Sequence, residues 1–214
     1  MEKPVVWIIG AGGGVGGCVA RQLSEAGWKI VGSGRDPERL EPLASEIEDW
    51  VSLPLNACDP EQMESAAQSV LKNLGRLDAV VVAVGSIFLK PLHATSTEEF
   101  SKTINANLLP AFHALRYSIP GMMRQKEGRF VLFSSAAAQV GLANHGSISA
   151  AKSAVEGLAL AASSTYAKRG IRINTIAPGL TDTPLAASLL GDETRRAISD
   201  AMHPVGRVGR ADEV

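Results

Sequence analysis

A chain of 214 residues is long enough to bury a substantial core and short enough to read as one domain. Hydrophobic residues make up 45% and charged residues 20%, with a net charge of −1, so no basic field points to nucleic acid or an anionic membrane. The opening MEKPVVWIIGAGGG has too short an apolar run for a signal core or a spanning helix, and Cys18 and Cys58 have neither metal-ligand nor disulfide spacing, which reads as a cytoplasmic protein without a metal.

Short β-rich runs alternate with longer helical stretches. VVWIIG (5–10) predicts a strand, GGCVARQLSEAG (16–27) a helix, and KIVGSG (29–34) a second strand. DPERLEPLASEI (36–47) and DPEQMESAAQSVLKNLG (59–75) both open with Asp-Pro, a helix-start signal, and DWVSLPL (49–55) between them predicts a third strand. LDAVVVAVG (77–85) is apolar nearly throughout, as a strand covered on both faces should be. A helix over 98–124, the strand GRFVLFSS (128–135), a helix over 147–169 and the strand IRINTIAPG (171–179) complete the series. The alternation predicts an α/β fold: a single Rossmann-like, doubly wound parallel sheet with helices on both faces. No repeat, low-complexity tract or linker interrupts it.

The glycines of IIGAGGGVGG fall where the first strand turns into the first helix. Gly10, Gly14 and Gly16, with Gly12, Gly13 and Val15 between them, allow close backbone approach, so a pyrophosphate can lie on the helix N-terminus. Tight strand–helix packing is the alternative, and Gly17 can serve that. At the end of the second strand, where an NAD site usually offers an acid to the ribose, stand Ser33, Gly34 and Arg35. Arg35 can pair with a 2′-phosphate, which favours NADP over NAD, while Asp36 reads as the cap of the next helix. Arg35 as a solvated loop residue is the competing reading.

Several marks in order resemble the short-chain dehydrogenase/reductase family over essentially the whole length. They are Gly10-x-x-x-Gly14-x-Gly16, PLNACDPEQM, AVG (83–85), NANL (105–108), FSS (133–135), Lys152 and INTIAPGLTDTP (173–184). The resemblance implies NAD(P) binding and hydride transfer between nicotinamide and a carbonyl or alcohol. It assigns Asn107 to the active site, Ser135 to the substrate oxygen, and Lys152 to the nicotinamide ribose and a proton relay. It assigns Pro178, Gly179 and Thr183 to the nicotinamide end, Asn56 and Ala57 to the adenine, and Ala83 and Gly85 to the cofactor-lining sheet motif. Asn56 stands in place of the usual aspartate and Val82 in place of an asparagine.

The family's Tyr-x-x-x-Lys puts its general acid four residues before the lysine and thirteen after the serine. Counting back from Lys152 and forward from Ser135 both arrive at Ile148, which has no proton to give. A positioned acid contributes roughly 10²–10⁴-fold. The chain has only two tyrosines, and Tyr166 and Tyr117 stand ~21 Å and ~15 Å along their helices from Lys152 and Asn107. His145, seven residues before Lys152, is the remaining titratable candidate, with a solvated histidine ahead of a helix as its plain alternative.

The stretch 180–200 matches the family's substrate lid, and its Leu180, Leu185, Leu189 and Leu190 suit either an apolar substrate or ordinary helix packing. Relatives usually continue beyond the position of Val214 with a helix and a last strand, so either the chain is incomplete or the final strand is missing. The expectation is an NADP-dependent oxidoreductase acting as a homodimer or homotetramer on a small-molecule carbonyl, alcohol or activated double bond. The competing expectation is a silent dinucleotide-binding protein or the inactive partner of an active homologue.

Overall fold

The computed structural model describes residues 2–214. Six parallel strands form one sheet in the order β3-β2-β1-β4-β5-β6: β1 is Val5–Ile9, β2 Lys29–Ser33, β3 Trp50–Ser52, β4 Ala79–Val82, β5 Gly128–Phe133 and β6 Ile171–Ile176. The connecting helices are α1 (Gly14–Glu25), α2 (Glu41–Glu46), α3 (Pro60–Leu74), α4 (Thr97–Gln125) and α5 (Gly146–Tyr166). The sheet is the Rossmann-like, doubly wound arrangement expected, and its strand order reverses between β1 and β4.

The strands are apolar because both faces are covered. Along β1, Val5, Trp7 and Ile9 enter a core with Met63, Phe130, Leu132 and Ile171, while Val6 and Ile8 enter a second core with Ile30, Leu40 and Leu43. Trp7 is fully buried, and its indole Nε1 donates to Ser33 Oγ at 2.8 Å. Asp78, also buried, accepts from Val5 N at 2.7 Å and pairs with Arg76 at 2.7 Å, tying the entrances of β1 and β4 together. Burial pushes the Asp78 carboxyl up, but the Arg76 guanidinium and the Val5 amide outweigh burial and hold it below its ordinary value.

The helix starts follow the sequence. Asp59 accepts from Glu61 N and Gln62 N ahead of Pro60, and Ser96 forms a reciprocal capping box with Glu99. The expected helix over 36–47 breaks into a 3-10 turn (Pro37–Arg39) and the short α2. Proline fits best in a helix's first turn, and Pro42 stands there in α2, which starts afresh at Glu41; the longer α4 accommodates Pro110 and Pro120 in its interior. Prolines also shorten two strands: β3 ends before Pro54, and β6 ends before Pro178. Beyond β6 the stretch 180–200 is more ordered than a plain lid. Thr181–Asp182 (β7) pairs in parallel with Gly209–Arg210 (β8), and Glu193–Ala201 forms α6.

Candidate active site

The carboxyl ends of β1, β4, β5 and β6 open on one edge of the sheet, and the strand reversal between β1 and β4 leaves a crevice there, the place where open α/β sheets take ligands. The glycine turn builds one wall. Gly10 has φ of +94°, and its N–H and that of Ala11 both donate to Ser33 O, at 2.7 and 3.0 Å. A side-chain carbon at Gly10 would lie 2.6 Å from Ala83 O, so only glycine brings β1 this close to β4. Gly13 caps α1 with no side-chain hydrogen bond, and Gly12, Gly14 and Val15 complete the first turn. The first amides of a 12-residue helix are thereby left open to an anion. Gly16 is buried beneath the Gly10 carbonyl.

At the carboxyl end of β2 the Ser33 side chain turns inward. Its hydroxyl is fully buried under Trp7, so it contributes to the turn through its carbonyl and presents no side chain to a ligand. Arg35 is exposed and, among the described residues, in no ion pair. Asp36 accepts from Glu38 N at 3.1 Å and pairs with Arg39 at 3.5 Å, which is the capping role expected of it. Arg39 also lies against the glycine turn, its Cβ 2.8 Å from where a Gly12 side chain would begin. Asn56 folds its own turn, its Oδ1 accepting from Cys58 N at 3.2 Å. The carbonyl of Ala57 is held by the buried His113, whose Nδ1 donates at 3.0 Å from α4.

At the other end of the crevice two side chains converge on one glycine, and Ser135 follows the end of β5. Asn107 is buried in α4: its Nδ2 donates to Thr103 O and Ser86 Oγ at 2.9 Å each, and its Oδ1 accepts from Ser86 N at 3.1 Å. Lys152, 8% exposed, donates from Nζ to Phe133 O at 2.8 Å. Both reach the same glycine, because a side chain on Gly85 would begin 2.9 Å from Asn107 Oδ1 and 3.3 Å from Lys152 Nζ. Ser135 stands two residues beyond Phe133, half-buried, its Oγ accepting from Ala137 N at 3.2 Å. No ion pair reaches Lys152 among the described residues, and burial alone pulls its ammonium down to about 8. Ile148, one turn before it on α5, is buried.

His145 caps α5 from outside the helix, its Nδ1 donating back to Ala143 O at 2.7 Å. Tyr117 and Tyr166 pack against the hydrophobic core, away from Lys152. Across the crevice Pro178 accepts from Ala136 N at 2.9 Å through its carbonyl, joining the β6 turn to the residue after Ser135. Thr183 covers Gly14, its Cγ2 2.7 Å from where a side chain there would begin. A side chain on Gly179 would meet His203 Nε2 at 2.8 Å.

His113, His203 and Glu156 were not apparent from the sequence. His113 bonds to Ala57, distant in sequence, and His203 donates to Ser199 O one turn earlier while lying against the distant Gly179. Glu156 carried a faint signal, standing four residues after Lys152, and it accepts from Ser134 Oγ at 2.6 Å.

A family model described as Enoyl-(Acyl carrier protein) reductase matches residues 10–214. Cyclohexanol dehydrogenase of Acinetobacter sp. (strain SE19) is 32% identical over 225 residues, which cover 100% of this chain and 85% of that protein. The solved structure of ElxO with NADP bound superposes with a TM-score of 0.93 at 28% identity, over 99% of this chain and 88% of that one. A short-chain type dehydrogenase/reductase from Mycobacterium ulcerans superposes with a TM-score of 0.93 at 27% identity, over 100% and 80% of the two chains. With the glycine turn, the strand order and the Asn107–Lys152 convergence, these matches establish that the chain belongs to the short-chain dehydrogenase/reductase family.

Proposed function

We propose that the protein is an NADP-dependent oxidoreductase, moving hydride between nicotinamide and the carbonyl carbon, or an activated double bond, of a small apolar substrate. The observation that carries this reading is the convergence of Asn107 and Lys152 on Gly85 in the strand-reversal crevice, beside Ser135. The glycine turn fits a pyrophosphate, since Gly12, Gly13 and Gly14 put no side chain over the α1 N-terminus and no side chain caps its amides. Arg35 carries the choice of NADP: it is an unengaged cation following Gly34, while the nearby Asp36 is occupied by its cap and by Arg39. The NADP-bound relative supports the same choice.

When bound, NADPH supplies the hydride. Asn56, Ala57, Ala83 and Gly85 would line the cofactor, with Pro178, Gly179 and Thr183 toward its nicotinamide end. Ser135 would donate to the substrate oxygen, Asn107 anchors the Ser86 turn, and Lys152 would hold the ribose. The exposed Leu185, Ile198 and Met202 of the lid suit an apolar substrate. Two side chains remain as sources of the proton that residue 148 cannot give: Lys152, and His145 through its free Nε2. The same reading makes the protein a cytoplasmic homodimer or homotetramer, with Phe100, Phe112 and Leu160 exposed on α4 and α5; no helix among the described residues is long and apolar enough to cross a membrane.

The test is NADPH oxidation with cyclohexanone, 2-cyclohexenone and a 3-oxoacyl thioester, run beside Ile148→Tyr. Turnover by the unaltered protein supports the reading. Turnover only by Ile148→Tyr sinks it in favour of a binding protein whose catalytic frame is intact.

A further inference from the structure

We infer that Lys152 is itself the general acid, its ammonium protonating the substrate oxygen directly, where the family's pattern would place a tyrosine between the two. The inference rests on the oxidoreductase reading and decides which side chain closes its reaction.

Three observations lead there. The residue one turn before Lys152 is the buried Ile148, so the position from which a phenol would reach the oxygen is apolar. Neither tyrosine can substitute, because both pack, half-buried, against the core, Tyr117 on α4 and Tyr166 at the far end of α5, ~21 Å along the helix from Lys152. Among the described residues the buried ammonium has one hydrogen-bond partner, Phe133 O at 2.8 Å, which leaves two of its three N–H groups, one for the ribose and one for the substrate oxygen. A buried cation without a counter-ion is costly to fold around, and such a group in a cleft is more simply explained by chemistry than by packing.

Among the described residues no carboxylate pairs with the amine. On α5 the neighbouring titratable side chain is Glu156, whose carboxylate accepts from Ser134 Oγ and Gln139 Nε2. From α4 come Asn107 and Thr103, from the β4 end Gly85 and Ser86, and from the β5 end Phe133, Ser134 and Ser135, none of which ionises. Burial is accordingly the sole cause of the amine's lowered value, about 8, close enough to neutrality for efficient proton donation.

The step balances. As hydride adds to the carbonyl carbon, the C=O π pair becomes an alkoxide lone pair. A Lys152 Nζ–H bond breaks and an O–H bond forms, giving the alcohol. The carbonyl is reduced, the dihydronicotinamide is oxidised, and the neutral amine regains its proton from water.

The experiment is chemical rescue. Lys152→Ala is assayed in single turnover with NADPH and cyclohexanone, with and without methylamine or ethylamine, beside Lys152→Arg and His145→Ala. NADPH affinity and thermal melting are measured for each. Lys152→Ala should lose roughly 10²-fold or more in hydride transfer and recover in proportion to the ammonium form of the added amine. Lys152→Arg should stay folded and bind NADPH yet remain slow, since guanidinium does not release its proton. Activity of the unaltered protein should fall as pH rises through about 8. An Ala variant that folds and binds NADPH but is not rescued overturns the inference. So does a His145→Ala variant that alone abolishes the pH dependence. Absence of turnover in the unaltered protein, with turnover by Ile148→Tyr, overturns the oxidoreductase reading as well.

Discussion

Replacing Lys152 by methionine should make the protein more stable and, in the same stroke, inactive. Burial lowers the amine from 10.5 to about 8. At about 1.4 kcal/mol per unit, folding around the charged group costs about 3 kcal/mol relative to a solvated lysine. Methionine fills a similar volume without charge but leaves the Phe133 carbonyl without its donor, which offsets about 1 kcal/mol of the gain. The net expectation is about 2 kcal/mol of added stability near pH 7, or about 5 °C in Tm for a domain of this size. Between about 8 and 10.5 the unfolded chain still holds a proton that the folded chain has released, so the unaltered protein gains stability as pH rises through that window. The advantage of Lys152→Met should therefore shrink toward zero by about pH 10. Urea titrations at both pH values measure it. A variant no more stable near neutrality, or a gap that does not narrow with pH, would refute the claim that an unpaired buried ammonium burdens this fold.

Arg35→Ala should weaken NADPH binding roughly 10- to 100-fold and leave NADH binding unchanged, the worth of a charge-assisted contact to one phosphate; fluorescence titration of both cofactors checks it, and equal losses would remove Arg35 from the 2′-phosphate. Asp78→Asn should cost about 2 kcal/mol near neutrality, a buried-pair value discounted for the partly exposed Arg76. Because the Asp78 carboxyl is held below its ordinary value, its contribution is present above about pH 4 and lost as pH falls further, so the acid limb of a stability profile should be shallower in the variant. His113→Leu frees the Ala57 carbonyl and should weaken NADPH roughly 5-fold while sparing nicotinamide mononucleotide, which lacks the adenosine half. His113→Asn, with an amide near the position of Nδ1, should retain the affinity; loss of both ligands together would mean general damage.

The fold was legible because its signals are local and repeated. Apolar runs marked strands buried on both faces, and Asp59-Pro60 and Ser96 with Glu99 marked helix starts. What proline does inside such a pattern was harder to see, as at Pro42, where its ring decides where a helix begins. The site was legible where backbone geometry demands a residue type, as at Gly10, or where two spacings meet, as at Ile148. It was not legible where a side chain is consumed by a distant neighbour. Nothing near Ser33 indicates that Trp7 takes its hydroxyl, and nothing near Ala57 indicates His113, because these contacts exist only after the sheet and α4 are assembled.

The short bridge between β7 and β8 has a consequence for how new specificities arise. Residues 183–208 leave and rejoin the body at one point, fastened by the β7–β8 pairing and by Gly209 N donating to Leu180 O at 2.9 Å. The segment is an excursion with a closed neck, and the entropy of closing such an excursion grows only logarithmically with its length. Doubling it would cost about 0.6 kcal/mol. The neck, rather than the excursion, is what the six-stranded sheet feels. The stretch between Thr183, which covers Gly14, and His203, which meets Gly179, can therefore be lengthened, shortened or exchanged as a cassette while the glycine turn and the sheet keep their geometry.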